Sequence, residues 1–318
     1  MKLKSPLLFA SCLLLLASLA CGTKDANVAN SSNTAAGNAA TPTASANTTT
    51  ADAPKSTLKP GEIPFAGFPT VNTTAKADEV VLCPSFNWIE DAATKGPDKV
   101  TFIFYSQKMI APGDVESEVE FLSPGKRKVS NAYIIPIPAG QTAKVGDIVL
   151  TWWQSGSGMN RAIVVEASDP AEPTVRYLDI DYDNPAKSRD GKTTIGQMDE
   201  KLKPNSFVKI SNMWEPGTVV AVNDGASKKK AQVIRVAGDK VLAMGFAGSL
   251  HVYDKAASTP VPVKPAVKAG DKVKAAIYGN FQNVTVTKVD NRNGRVFVKG
   301  ESGDTSEKAI AFGDVMTN

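Results

Sequence analysis

Three short apolar stretches between residues 144 and 184, separated by tight turns, constrain the fold more than any other part of the chain. The period of two along residues 148–153 and 175–183 divides their side chains between two faces of a strand. Residues 162–165 are almost continuously apolar, as expected of a strand covered on both faces. Strands this short, joined by turns, predict a small meandering β-barrel, because closure removes the exposed edges of the sheet.

Similar stretches recur before and after this segment at spacings of about 60 residues, which indicates internal duplication. The sequence therefore predicts four barrel-sized segments, at residues 76–140, 141–212, 213–257 and 268–318. Residues 258–267 are rich in proline and predict a stiff, extended spacer between the last two segments. The copies are divergent, so three barrels instead of four is the alternative.

The motifs of the 141–212 segment and its neighbour resemble a known family. Positions 180–184 read Ile-Asp-Tyr-Asp-Asn and resemble the Ile-Asp-Tyr-Gly-Asn signature of Tudor domains, with Asp183 where that family carries Gly. Val-Gly-Asp-Ile-Val at 145–149 resembles the opening of Tudor, agenet and related SH3-like barrels. Residues 119–122 and 133–138 resemble the closing strands of such a module. The resemblance implies a mostly β fold of tandem small SH3-like barrels.

The N-terminus carries the pattern of an export signal. Lys2 and Lys4 precede an apolar run at residues 7–20, which is too short for a membrane span and typical of a secretory signal core. The run ends in Leu-Ala-Ser-Leu-Ala-Cys and resembles a bacterial lipoprotein signal. Residues 1–20 are thus predicted to be the signal peptide and Cys21 the lipidated residue, with an ordinary soluble secreted protein as the alternative. Gly22 after the cysteine implies, in that family, the outer membrane.

Residues 21–75 are predicted to join the lipid to the folded part. From 22 to 60 the chain is mostly Ala, Asn, Thr and Ser, with almost no large apolar side chains. Such a stretch cannot bury enough surface to offset the entropy of ordering it. The sequence therefore predicts a disordered tether that holds the barrels off a membrane of the cell envelope.

Composition and the reactive side chains argue against several classes of function. The formal net charge is only +4, which gives no electrostatic reason to expect a nucleic-acid partner. Once the signal peptide and the lipid site are set aside, Cys83 is the remaining cysteine, and His251 is the single histidine. One Cys and one His complete neither a zinc site nor a catalytic triad. We expect no enzymatic activity; the alternative, an acyl-transfer or hydrolytic enzyme using Cys83, requires that thiol exposed beside a base.

The resemblance to Tudor domains implies an aromatic cage for a methylated cation. Ring faces attract cations by about 0.5–2 kcal/mol each. The candidate cage residues are Trp152, Trp153, Tyr177, Tyr182 and Asn184. The alternative is that these rings are barrel core or ordinary packing, because Tyr177 and Tyr182 lie on opposite faces of an unbulged strand.

A second candidate site is acidic. Asp179, Asp181, Asp183 and Asp190 fall at the first, third, fifth and twelfth positions of a calcium-loop template. Asn184 stands where that loop needs Gly, and no helices flank it. A single calcium ion bridging this strand is one interpretation and a solvated acidic edge is the other; no other cofactor is expected.

Together these patterns predict a lipid-anchored, non-enzymatic envelope protein that binds a peptide, a protein or a glycan. A purely structural spacer and a calcium-binding surface lipoprotein are the alternatives.

Overall fold

The computed structural model describes residues 65, 67–155, 158–180, 199–301, 303 and 305–317, all within one compact unit that spans residues 52–318. In this part the chain is mostly β, with 47% of residues in strands and 8% in helices. The predicted β class is therefore confirmed. The strands form three antiparallel sheets, which follow one another along the chain.

The first sheet contains five strands in the order β4-β3-β2-β1-β5. Its strands are β1 (Val80–Pro84), β2 (Phe104–Ala111), β3 (Glu116–Glu120), β4 (Lys126–Ser130) and β5 (Ile135–Ile137). The helix α1 (Phe86–Lys95) and a 3₁₀ helix at Pro97–Lys99 connect β1 to β2, and a second 3₁₀ helix, Asn131–Tyr133, precedes β5. Among the described residues, none of the helices is long and apolar enough to cross a membrane.

The second sheet has the order β10-β6-β7-β8-β9. Its strands are β6 (Ile148–Trp152), β7 (Met159–Glu166), β8 (Thr174–Tyr177), β9 (Asp199–Lys201) and β10 (Val208–Ile210). The three strands predicted in this segment are confirmed, except that β8 ends at Tyr177 and not at residue 183. The chain leaves the strand because the Arg161 amide donates to the Asp179 carboxylate, and that carboxylate also contacts the Arg161 guanidinium.

The third sheet has ten strands and includes the predicted third and fourth segments. Its strands are β11 (Val219–Asp224), β12 (Ser227–Ala237), β13 (Lys240–Gly245), β14 (Leu250–Asp254), β15 (Thr259–Pro260), β16 (Lys272–Ile277), β17 (Asn280–Asp290), β18 (Arg295–Gly300), β19 (Glu307–Ala311) and β20 (Val315–Met316). Its main path is β14-β13-β12-β17-β16-β20; β11 pairs with β12 and β15, and β18 with β17 and β19. A 3₁₀ helix, Lys255–Ala257, separates β14 from β15. The start of the predicted proline-rich spacer is thus a strand, because Pro260 lies opposite Val220 of β11.

Strand pairing closes none of these sheets into a barrel within the described residues. β4 and β5 are the edges of the first sheet, and β10 and β9 are the edges of the second. The third and fourth predicted segments share one sheet through the pair Lys229–Asn280. The tandem SH3-like barrels are therefore not confirmed, and the division into four segments stays a prediction.

The three sheets pack on a common apolar core. The largest buried cluster draws Phe102 and Tyr133 from the first part of the chain, Leu150 and Ile163 from the second sheet and Val284 from the third. One smaller cluster is formed by residues of β6, β7 and β8 together with Leu202 and Phe207. Another is formed by residues of β11, β12 and β13. Because this core is continuous across the sheets, it fixes the positions of the loops between them.

Candidate functional site

Among the described residues, the candidates for the aromatic cage do not surround a single exposed pocket. Trp152 packs against the large common core, whereas Trp153 packs against the smaller core of the second sheet. Tyr177 is buried, and its hydroxyl donates to Glu200 Oε2 at 2.5 Å and accepts from the Gln154 amide at 3.1 Å. Burial, together with the Glu200 carboxylate, raises the pKa of Tyr177. Its ring is thus part of the core.

The other two cage candidates, Tyr182 and Asn184, lie outside the described residues, as does the predicted lipid site Cys21. Trp152 borders a cavity of about 540 Å³ that Tyr105 and Phe121 also line.

Of the predicted calcium ligands, Asp179 belongs to a buried ion cluster. The guanidinium of Arg161 lies 2.5 Å from Asp179 Oδ1 and 2.8 Å from Asp314 Oδ1. Lys230 Nζ lies 2.7 Å from Asp314 Oδ2 and 3.8 Å from Asp179 Oδ1. Burial alone would raise the pKa of Asp179, but Arg161 and Lys230 hold that pKa well below its usual range. The cluster joins the second sheet to the third with two cations and two carboxylates.

A calcium ion at Asp179 would have to displace the Arg161 guanidinium and approach the Lys230 ammonium, which electrostatics opposes. The other three predicted ligands, Asp181, Asp183 and Asp190, lie outside the described residues. In the described part of the chain, no three His, Cys, Asp or Glu side chains are grouped so that they could hold a metal ion.

Cys83 lies on β1 and is fully buried, and burial raises the pKa of its thiol. Because the thiolate is the nucleophile, a buried thiol with a raised pKa is unreactive at neutral pH. The alternative of a Cys83-dependent enzyme required an exposed thiol beside a base, and Cys83 does not meet that requirement.

Two aromatic side chains that were not among the predicted site residues stand out on the surface. Phe246 is 71% exposed and Tyr278 is 66% exposed. Phe246 follows the end of β13, and Tyr278 opens the two-residue turn between β16 and β17. Soluble proteins expose large aromatic rings sparingly, so a pair of them on adjacent turns is a candidate binding surface.

Strand β12 brings these two turns together. Its residue Ala231 pairs with Gly245 of β13, and along the same edge the Lys230 amide donates to the Gly279 carbonyl at 2.8 Å. Lys229 then pairs with Asn280 of β17. Where β13 ends, the β16–β17 hairpin therefore continues the pairing, and the turn after β13 lies against the Tyr278-Gly279 turn.

Gly279 permits the close approach of the two turns. A Cβ atom on Gly279 would lie 2.7 Å from Phe246 Cβ, so any side chain there would push the phenyl ring away. Gly279 has a φ of 78° and Tyr278 a φ of 47°. Two consecutive positive φ values are typical of the type I′ hairpin turn, whose favoured sequence is Asn-Gly. Tyrosine in the first position adopts a left-handed conformation that is unfavourable for a bulky residue.

The two rings stand between two cavities that share Lys230, Phe246 and Tyr278 in their walls. The larger cavity, of about 580 Å³, extends toward Tyr253 and His251 of β14. The smaller cavity has a volume of about 270 Å³. Asp179, Lys230 and Asp314 line this cavity, so the ion cluster that they form with Arg161 lies beneath it. We call the two cavities and the ring pair the Phe246–Tyr278 groove.

Most charges in the groove already have a partner of opposite sign. Asp224 pairs with Lys229 at the rim of the larger cavity, and Lys230 pairs with Asp314 in the smaller one. Lys308 Nζ lies 5.5 Å from the centroid of the Tyr278 ring. Arg295 also lines the smaller cavity, so four cations and three carboxylates line the two cavities and their charges nearly balance.

One pair in the larger cavity has the elements of a nucleophile and a base. His251 Nε2 of β14 lies 3.1 Å from Ser249 Oγ, and Ser249 immediately precedes that strand. Among the described hydrogen bonds, no carboxylate contacts the His251 ring. Among these hydrogen bonds, no third group orients the base as it does in serine hydrolases.

The sequence contains a signal for each of the two turns but not for their contact with each other. Tyr-Gly at 278–279 interrupts an alternating strand pattern at a place where a hairpin favours Asn-Gly, and Phe246 lies in a glycine-flanked turn. The strand pairing that brings the two turns together depends on long-range register, which the local pattern does not contain. Comparison with protein-family models finds no match, and comparison with curated proteins finds none either.

Proposed function

We propose that this protein is a non-enzymatic binding protein of the cell envelope, attached to a membrane through lipid on Cys21, and that its ligand binds in the Phe246–Tyr278 groove. The observation that carries the proposal is that two exposed rings, Phe246 and Tyr278, lie on turns that meet at Gly279 and line the same two cavities. Concave sites with aromatic walls and a few polar groups are the usual form of ligand sites in proteins.

The conformation of Tyr278 favours binding over a purely structural role. A left-handed φ at a bulky residue costs free energy and persists where another requirement offsets the cost, as at ligand sites. The ring lies mostly in solvent, so core packing does not supply that requirement. In a spacer, Asn or Gly in this turn would be more stable.

The tandem SH3-like or Tudor-like barrels remain part of this proposal. Except for β12 and β17, the strands of the third sheet are short, as in such modules. The core between β11, β12 and β13 lies beneath the larger cavity. Binding at the open end of a small β module is compatible with that architecture. On this proposal the aromatic binding surface lies in the third sheet, and the Trp152 and Trp153 region of the second sheet has a packing role.

The test is affinity capture from envelope extracts with the full-length protein as bait. We expect the Phe246→Ala and Tyr278→Ala variants to lose partners that the unsubstituted protein retains. Trp153→Ala serves as the matched control, because it removes a ring that packs against a core outside the groove. Circular dichroism and thermal denaturation must show that each variant is folded.

If both groove variants capture everything that the unsubstituted protein captures, the groove is not the binding site. Loss of capture in the Trp153→Ala variant alone would move the site to the second sheet. In parallel, Cys21→Ser should release the protein from the membrane fraction, and retention of that variant in the membrane would contradict lipid attachment.

A further inference from the structure

The nature of the groove limits what it can bind. An ionic ligand would have to compete with pairs that are already formed, Asp224 with Lys229 and Lys230 with Asp314. A charged side chain that already has a partner of opposite charge adds little to the affinity for a charged ligand. An uncharged ligand meets no such competition.

Addition of a peptide as an extra strand is the main alternative, and the surroundings of β14 oppose it. β14 is an edge strand of the third sheet and lines the larger cavity, so its free edge is where such a peptide would pair. The 3₁₀ helix Pro97–Lys99 packs against β14, and the Phe102 amide donates to the Gly248 carbonyl at 2.9 Å just ahead of it. The first part of the chain therefore covers this edge in part.

The remaining surface has the two features that a sugar ring requires. A pyranose presents an apolar C–H face, which packs on an exposed aromatic ring, and a rim of hydroxyls that both donate and accept hydrogen bonds. Phe246 and Tyr278 supply exposed rings. Asn280 and His251 supply groups that donate and accept, and both line the larger cavity.

We propose, on the basis of the proposed function, that the Phe246–Tyr278 groove binds a neutral oligosaccharide, with a pyranose stacked on the ring pair. Because cavities lie on both sides of the rings, the ligand extends in both directions and is longer than one sugar. Tyr278 is a positioning and stacking residue, and its left-handed turn directs the ring into the groove. His251 and Asn280 bind hydroxyls at one end.

The experiment is isothermal titration of the full-length protein with neutral hexasaccharides: cellohexaose, maltohexaose, mannohexaose and fully N-acetylated chitohexaose. At least one should bind, with an affinity that falls about ten-fold or more in the Phe246→Ala and Tyr278→Ala variants. Tyr278→Phe keeps the stacking ring and should bind like the unsubstituted protein. Leu122→Ala removes an exposed apolar side chain outside the groove and should also leave binding unchanged.

Salt separates this proposal from an ionic mode of binding. For a neutral ligand the affinity should be the same at low and high ionic strength, because no charge pair is screened. If no hexasaccharide binds, or if binding survives in both alanine variants, the oligosaccharide proposal is overturned. If, in that case, affinity capture still depends on Phe246 and Tyr278, the groove binds a peptide or protein and the proposed function stands. If capture also fails to depend on them, both proposals fail.

Discussion

Replacing Tyr278 by asparagine should stabilise the protein while it weakens ligand binding. The residue has a φ of 47°, a left-handed conformation that costs an L-residue roughly 1–2 kcal/mol. Asparagine tolerates this conformation and is the favoured residue at the first position of a type I′ turn. The substitution therefore removes most of that conformational cost.

The interactions that the substitution removes contribute little to stability. The ring is 66% exposed, so little apolar area returns to water. The contact of Lys308 with the ring is worth about 0.5–1 kcal/mol at an exposed site. The backbone carbonyl of Tyr278, which accepts from Asn280 Nδ2, is unaffected by the substitution. The balance is a gain of about 0 to 1.5 kcal/mol in the free energy of unfolding.

Urea denaturation followed by circular dichroism measures this gain as a higher midpoint at an unchanged slope. Tyr278→Phe is the control, with the same backbone and ring and the stability of the unsubstituted protein. A Tyr278→Asn variant that is less stable by about 1 kcal/mol or more would show that the tyrosine supports the fold. A variant that keeps its ligand affinity would show that the ring has no role in binding. Either result would refute the reasoning that the turn is retained for its ring.

Other parts of the structure give further expectations. Arg161→Met should lower the free energy of unfolding by about 3–5 kcal/mol, because it leaves Asp179 and Asp314 buried without their main cation, and a loss below 1 kcal/mol in urea denaturation would contradict this. The pKa of Asp179 is lowered from 3.8 in the folded protein, so its contribution to stability is complete above that value and is lost as the pH falls below it. Denaturation between about pH 5 and pH 2 should show this loss, and Asp179→Asn should show less of it. Cys83 should react with iodoacetamide only in denaturant, and rapid alkylation of the native protein would contradict its burial.

The local pattern predicted the strands better than it predicted the site. The strands at 148–153 and 162–165 were predictable because their apolar residues recur within a few positions. The end of β8 was not, because it depends on contacts of Asp179 with Arg161 on another strand. The aromatic pair was missed for the same reason: Phe246 and Tyr278 are distant in sequence and meet only through their pairing with β12.

The prediction of separate barrels also depended on local patterns, which do not contain long-range strand pairing. Each segment has the turn signals of a small module, but the pairing of Lys229 with Asn280 joins two segments into one sheet. A lysine and an asparagine carry no hydrophobic signal that would predict this pairing. The aromatic motif of the second segment was visible in sequence, yet its Tyr177 belongs to the core, because its hydroxyl finds Glu200 on a neighbouring strand.

The ion cluster of Arg161, Asp179, Lys230 and Asp314 has a consequence for how the molecule responds when the groove is filled. Asp314 and Lys230 hold the second and third sheets together and also form one wall of the smaller cavity. A molecule seated in that cavity shields these groups from water and strengthens their attraction. A ligand in the smaller cavity would thus raise the melting temperature of the second and third sheets together, in a single transition.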